Sequence, residues 1–462
     1  MTLSPTRCLL PLTLAAFAAC GAPGDHAGER AEPRPSDGGE VLRLTALAAL
    51  AVDPDEAISG PAIDALREAG PDGLAALLET HADAVARLRT LPLAVDRDGL
   101  DALREDPGLA RLRAAVDHVA AQRDAFASGL YWYTDLDAAR AEAARSGRPI
   151  LSLRLLGRLD EEASCANSRF FRWLLYPNPL VQQALAGYVL HWSSERPAPH
   201  ITIDMGDGRT IERTITGNSV HYVLDATGNV VDAIAGLHAA PEFAERLRQA
   251  RAIAEHCGVR FADRACVATE HQRMLEQTRE AWTALAARPG ARLPGWEGLL
   301  ALDMPAEPAP SALVAMPLTV GKMSIEMPML RLMGAAPAAP APAPIAWADV
   351  ARVSVDTPVF EDVLSDGSRA LARLKTGRVD DGVLLRATFD RAVQDTLQNR
   401  FTLDRRLHAW LAAPEIPTDL ASLNTRVYAD LFLTPASDPW LGLRSESDWD
   451  VLEVTLSSGT TN

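Results

Sequence analysis

The sequence predicts an α/β protein, with a central α/β unit flanked by mainly α-helical N- and C-terminal modules. Three observations carry that prediction. Between residues 131 and 256, short apolar runs of strand length alternate with segments of helical periodicity. On both sides, from 41 to 130 and from 346 to 462, apolar residues recur at helical spacing. A Gly- and Pro-rich stretch at 21–40 and a Pro- and Ala-rich one at 303–345 mark the changes of character. With 462 residues, 48% of them hydrophobic and 23% charged, the chain has material for more than one core. Its net charge of −16 speaks against duplex nucleic acid, whose phosphates need clustered Lys and Arg.

In order along the chain, residues 21–40 read as a flexible tether rich in Gly, Pro and acidic residues. Ala62, Ile63 and Leu66, then Leu74, Leu77 and Leu78, mark two short helices around Gly70-Pro71, and Leu109, Leu112, Val116 and Val119 mark a longer one. Asp135 to Arg145 is an Ala-rich helix and Pro149 to Leu156 a strand. Cys165 to Tyr176 is a helix with Phe170/Leu174 and Phe171/Leu175 at i,i+4 spacing, broken by Pro177-Asn178-Pro179 and resumed over Val181 to Leu185. Tyr188 to Trp192 is a strand. Ile201 to Thr216 is a hairpin about Gly206-Asp207-Gly208. Two more strands, Val220 to Leu224 and Val230 to Ala235, flank a turn, and Pro241 to Glu255 is a helix. A helical extension fills 257–302, and 303–345 is a Pro/Ala-rich linker around an apolar island. Leu403, Leu407, Trp410 and Leu411 lie along a helix face of the C-terminal module.

The first twenty residues read as an export signal. Arg7 supplies positive charge, and Leu9 to Ala19 is an apolar run too short to span a bilayer. Its end, Phe17-Ala18-Ala19-Cys20-Gly21, resembles the lipobox of bacterial lipoprotein signals, with Phe17 where that family usually has Leu. The resemblance implies cleavage before Cys20, lipidation of Cys20 and a place in the bacterial cell envelope, attached to the membrane through the lipid alone. An ordinary secretory signal is the alternative. Of five Cys, 8, 20, 165, 257 and 266, the last three then remain in an oxidising compartment. Gly258 stops a helix, so the chain can double back to pair Cys257 with Cys266, leaving Cys165 a thiol. Three reduced, buried thiols are the competing reading.

The order of elements in 131–256 resembles the thioredoxin fold. Arg148-Pro149-Ile150-Leu151 leads into the strand, Cys165 stands at the strand-to-helix junction, a Pro-broken helix follows, and a final hairpin turns at Asp225-Ala226-Thr227-Gly228. The resemblance implies that Cys165 is the nucleophile. The second Cys of the family's Cys-x-x-Cys pair is Ser168 here, and Ser219 takes the place of the proline that faces the active site. A thiol at a helix N-terminus meets unpaired N–H groups and the positive end of the dipole, which favours the thiolate. Arg169 and Arg172 favour the charged form, and Asp160 to Glu162 oppose it.

These features set three expectations. The first is a protein-interaction or thiol-handling scaffold for an envelope partner, with Cys165 exposed, Ser168 its hydrogen-bond partner and Ser219 lining the same surface. The second is a monothiol disulfide oxidoreductase using Cys165, whose mixed disulfide needs a second thiol from elsewhere. The third is Cu(I) binding by the cluster Met304, Met316, Met323, Met327, Met329 and Met333, although Met equally fills cores and docking surfaces. His191 and His221, on strands read as neighbours, are expected to be ordinary hydrogen-bonded residues rather than metal ligands. The Asp204-Met205-Gly206-Asp207-Gly208 stretch is a hairpin turn rather than a calcium loop. No cofactor and no metal is implied, and hydrolase and phosphate-loop signatures do not occur.

Overall fold

The computed structural model describes residues 38–89, 97–214, 217–302, 345–354, 363–377, 382–414 and 417–437. The fold is mixed α/β, dominated by helix around a small sheet. The N-terminal helices are α1 (Gly38–Leu50), α2 (Glu56–Glu68), α3 (Pro71–Thr80), α4 (Ala82–Arg89), α5 (Arg97–Glu105), α6 (Pro107–Ala120) and α7 (Ala125–Ser128). Short polar side chains start them: Asp55 caps α2 by accepting the Ala57 N–H, and Asp106 caps α6 by accepting from Gly108 and Leu109, with Pro107 at the first helical position. α2 and α3 meet at Gly70-Pro71, where Gly70 takes φ +71°. Gly73 lets α3 touch α2, because a Cβ there would lie 2.0 Å from the Leu66 carbonyl oxygen.

The central unit runs α8 (Leu136–Ser146), β1 (Ile150–Leu156), α9 (Ala166–Phe170), α10 (Pro179–Leu185), β2 (Val189–Arg196), β3 (His200–Asp204), β4 (Thr210–Thr214), β5 (Ser219–Leu224), β6 (Val230–Ala235) and α11 (Ala240–Cys257). The helix expected from Cys165 to Tyr176 is present, α-helical over Ala166–Phe170 and π-helical over Phe171–Leu175. The strand order is β2-β1-β5-β6, with β1 and β2 parallel and the other two pairings antiparallel. β3 and β4 form their own two-stranded hairpin, turned by Gly206 and Gly208 at positive φ. Every residue of β5 and β6 is buried, because helices cover both sheet faces.

The remaining helices are α12 (Arg264–Ala286), α13 (Trp296–Leu302), α14 (Trp347–Val353), α15 (Asp366–Thr376), α16 (Gly382–Phe401), α17 (Leu403–Ala412) and α18 (Leu420–Arg426), the last running into a π-helical turn over Val427–Leu431. They do not form the separate module expected from the sequence. Leu371 and Leu374 of α15 complete the core of the N-terminal helices. Phe389, Val393 and Phe401 of α16 pack with Trp282 of α12. Leu403, Leu407 and Leu411 of α17, and Leu420 to Phe432, join the core of the sheet. No helix can bury its own apolar stripe, so each is stabilised by packing on a neighbour. No helix among the described residues is long and apolar enough to cross a membrane.

Candidate functional site

Cys165 stands at the strand-to-helix junction, as the N-terminal cap of α9, and its carbonyl accepts the Arg169 N–H at 3.2 Å. It is not exposed as expected: its accessible surface is 0%, and it forms no disulfide. The connection from β1 folds tightly back at Gly157 (φ +73°), where a Cβ would lie 3.3 Å from the Ser164 Cα. The Thr214 hydroxyl, from the end of the β3–β4 hairpin, donates to the Ser164 carbonyl at 3.2 Å. Tyr176 and Tyr428 belong to the same buried core as Cys165. Burial of the sulfur therefore depends on segments remote from it in the sequence.

Ser168 and Ser219 are also buried, and both lie near Cys165 in the fold. The Ser168 hydroxyl meets that of Ser164 at 2.7 Å. The Ser219 hydroxyl accepts from Asn167 Nδ2 at 2.8 Å, so it faces the first turn of α9 rather than lining an open surface as expected. Gly217 permits this approach, since a Cβ there would lie 3.3 Å from the amide nitrogens of Ala166 and Asn167. Over this loop lies the C-terminal chain. The Tyr428 hydroxyl donates to the Asn218 carbonyl at 3.1 Å, and Asn218 Nδ2 donates to Thr434 Oγ1 at 2.8 Å.

Beside the Ser164–Ser168 pair is a buried charge network. Arg172, 1% exposed, donates to Ser164 Oγ at 3.1 Å and stands 3.4 Å from Asp124. Lys375 of α15 reaches Asp124 at 2.7 Å and Glu162 at 2.6 Å, and Arg123 pairs with Glu162 and Asp117. Burial opposes the Glu162 charge, but the hydrogen bond and charge of Lys375 and the hydrogen bond of Arg123 outweigh it and hold the carboxyl at about 2. Burial, then the neighbouring Asp124 charge, pushes Asp117 up to about 7. The acidic connection that opposed a thiolate in the sequence reading is thus tied to cations.

His191 and His221 are not neighbours across a strand pair, since β1 lies between them and the register puts them on opposite faces. His191 Nδ1 meets the Ser152 hydroxyl at 2.8 Å. His221 Nε2 meets the Tyr176 hydroxyl at 3.0 Å, and its ring lies between Phe171 and Phe243. Burial, with a lesser contribution from His238, lowers the His221 pKa to about 3. A depressed folded pKa means that stability is present above the unfolded value near 6.5 and is lost as pH falls toward 3. His221→Phe should therefore flatten the acid limb by up to about 1.4 kcal/mol per pH unit in that window. Urea unfolding of both proteins at a series of pH values measures the slope, against the opposite contribution of the raised carboxyls Asp117, Asp395 and Asp404. Equal slopes would remove His221 from the acid response.

Cys257 and Cys266 form a disulfide, with Cα atoms 5.5 Å apart, after α11 stops at Gly258 (φ +115°). Cys20 and the Met304–Met333 cluster lie outside the described residues. The sequence reading also missed a cluster. Asp232, His271 and His408 bring three potential ligand atoms within 4.8 Å of one another, all buried, from β6, α12 and α17. The signal available was His408 on the apolar stripe Leu403, Leu407, Leu411, but nothing local ties it to His271, 137 residues away. Comparison with protein-family models, with curated proteins and with solved structures gave no match.

Proposed function

We propose that this chain is a lipid-anchored scaffold of the bacterial cell envelope, built on a thioredoxin-like unit, that acts by binding a partner protein rather than by turning over disulfides. The observation that carries the reading is the complete burial of Cys165 at the β1-to-α9 junction. Attack on a disulfide needs a thiolate that another sulfur can reach, and a sulfur with no accessible surface offers no such approach. Support for the thioredoxin-like unit is the strand order β2-β1-β5-β6 with the Ser219 loop against α9. The Cys257–Cys266 bridge is what an oxidising compartment permits.

The test is alkylation of the native mature protein with iodoacetamide, read by mass spectrometry. Cys165 should stay unlabelled when folded and label fully in urea, and Cys165→Ser should capture the same partners from envelope extract as the wild type. Rapid native labelling, with a mixed disulfide trapped on Cys165, would replace the scaffold by a monothiol oxidoreductase. The same spectra report the mass at Cys20, which tests the anchor separately.

A further inference from the structure

We infer that Asp232, His271 and His408 form a zinc(II) site that fastens the C-terminal helices to the edge of the sheet. It stands independently of any role for Cys165. The tautomers come first. His271 Nε2 lies 2.8 Å from the Val231 carbonyl oxygen, which can only accept, so Nε2 carries the proton and Nδ1 presents a lone pair. That nitrogen faces His408 Nδ1 at 2.9 Å. A histidine whose far N–H is held by a backbone carbonyl is oriented as metal-ligating histidines are. Asp232 is fixed in the same way. Its Oδ1 accepts the Ala233 N–H at 2.7 Å and lies 3.9 Å from His408 Nδ1, while Oδ2 faces Arg246 at 3.4 Å.

Donor type points the same way. Arg246 stands between two buried carboxylates, 3.4 Å from Asp232 and 3.5 Å from Asp404. Asp404 Oδ1 is buried with no hydrogen-bond partner, one helical turn before His408 on α17. Two imidazole nitrogens and one carboxylate oxygen make a three-ligand zinc set, with water as the fourth ligand. Without the ion, His408 Nδ1–H donates to His271 Nδ1; to ligate through Nδ1, His408 takes its other neutral tautomer, with the proton on Nε2. Zn–N bonds of about 2.0–2.1 Å at a tetrahedral angle place the two nitrogens roughly 3.3 Å apart, so the pair opens by about 0.4 Å. The ion would join α12 and α17 beside β6, the edge strand, where the Thr418 carbonyl takes the Val230 N–H.

The full-length protein, stripped with chelator and dialysed, is equilibrated overnight with Zn²⁺ in competition with a chromogenic chelator. The expected result is about one equivalent bound, a raised Tm, and affinity weaker by about 100-fold or more in His271→Gln and in His408→Gln. His200→Ala, on the exposed hairpin, should bind as the wild type. Because either core variant can fail to fold, Co²⁺ is also added to the wild type. Four-coordinate d–d bands, with a paramagnetically shifted exchangeable N–H signal from an imidazole, support the site. No uptake by the wild type, no such signal, or full binding by folded His271→Gln or His408→Gln overturns it.

Discussion

Arg172→Met should destabilise the protein by about 3 kcal/mol, the low end of the range for breaking a buried ion pair. The guanidinium is almost fully enclosed, and its loss takes a donor from Ser164 Oγ and a counter-charge from Asp124. Met fills much of the volume, so the cost is electrostatic rather than a cavity. Lys375 stays 2.7 Å from Asp124, which keeps the loss from reaching the upper end. Neutralising the orphan should recover part of it, with Asp124→Asn in the Arg172→Met background more stable than Arg172→Met alone. Urea unfolding at pH 7 with an unchanged m-value measures each corner of the cycle. A loss under about 1 kcal/mol would mean that Lys375 alone satisfies the site.

Phe432→Ala should cost about 3–5 kcal/mol, the usual penalty for emptying a fully buried aromatic position. Its second effect is local. Phe432 packs against Tyr428 with ring centroids 5.3 Å apart, and Tyr428 and Thr434 are hydrogen-bonded to Asn218 beside Ser219. Because this segment shares the core of Cys165, loosening it should uncover Cys165 while the sheet stays folded, and native alkylation should accelerate by about 100-fold or more for 3 kcal/mol of local opening. Leu77→Ala, in the core of the N-terminal helices, is the control. At matched global stability it should leave Cys165 protected. Equal labelling in the two variants would show that the thiol is reached only by global unfolding.

What the sequence made legible is what local chemistry dictates. Gly70-Pro71 separates two helices, Gly206 and Gly208 turn a hairpin, and Asp225 folds its turn by accepting the Thr227 and Asn229 N–H groups. Gly258 at the end of α11 foretold the reversal that brings Cys257 to Cys266. What was hidden depends on distant chain. Cys165 shares its core with a segment around Tyr428 far along the chain, and periodicity cannot say which core a short helix will join. The opposite faces of His191 and His221 follow only once β1 is known to lie between them. Asp232, His271 and His408 each look ordinary where they stand in the sequence.

Because α15, α16 and α17 are shared out among three cores, ribosomal synthesis delivers the parts in an awkward order. Each core keeps a greasy opening until the closing stretch of the polypeptide arrives, so the emerging chain has no early resting place. A chain cut short before residue 363 should therefore leave all three cores open, and limited proteolysis should digest it faster than the full-length protein.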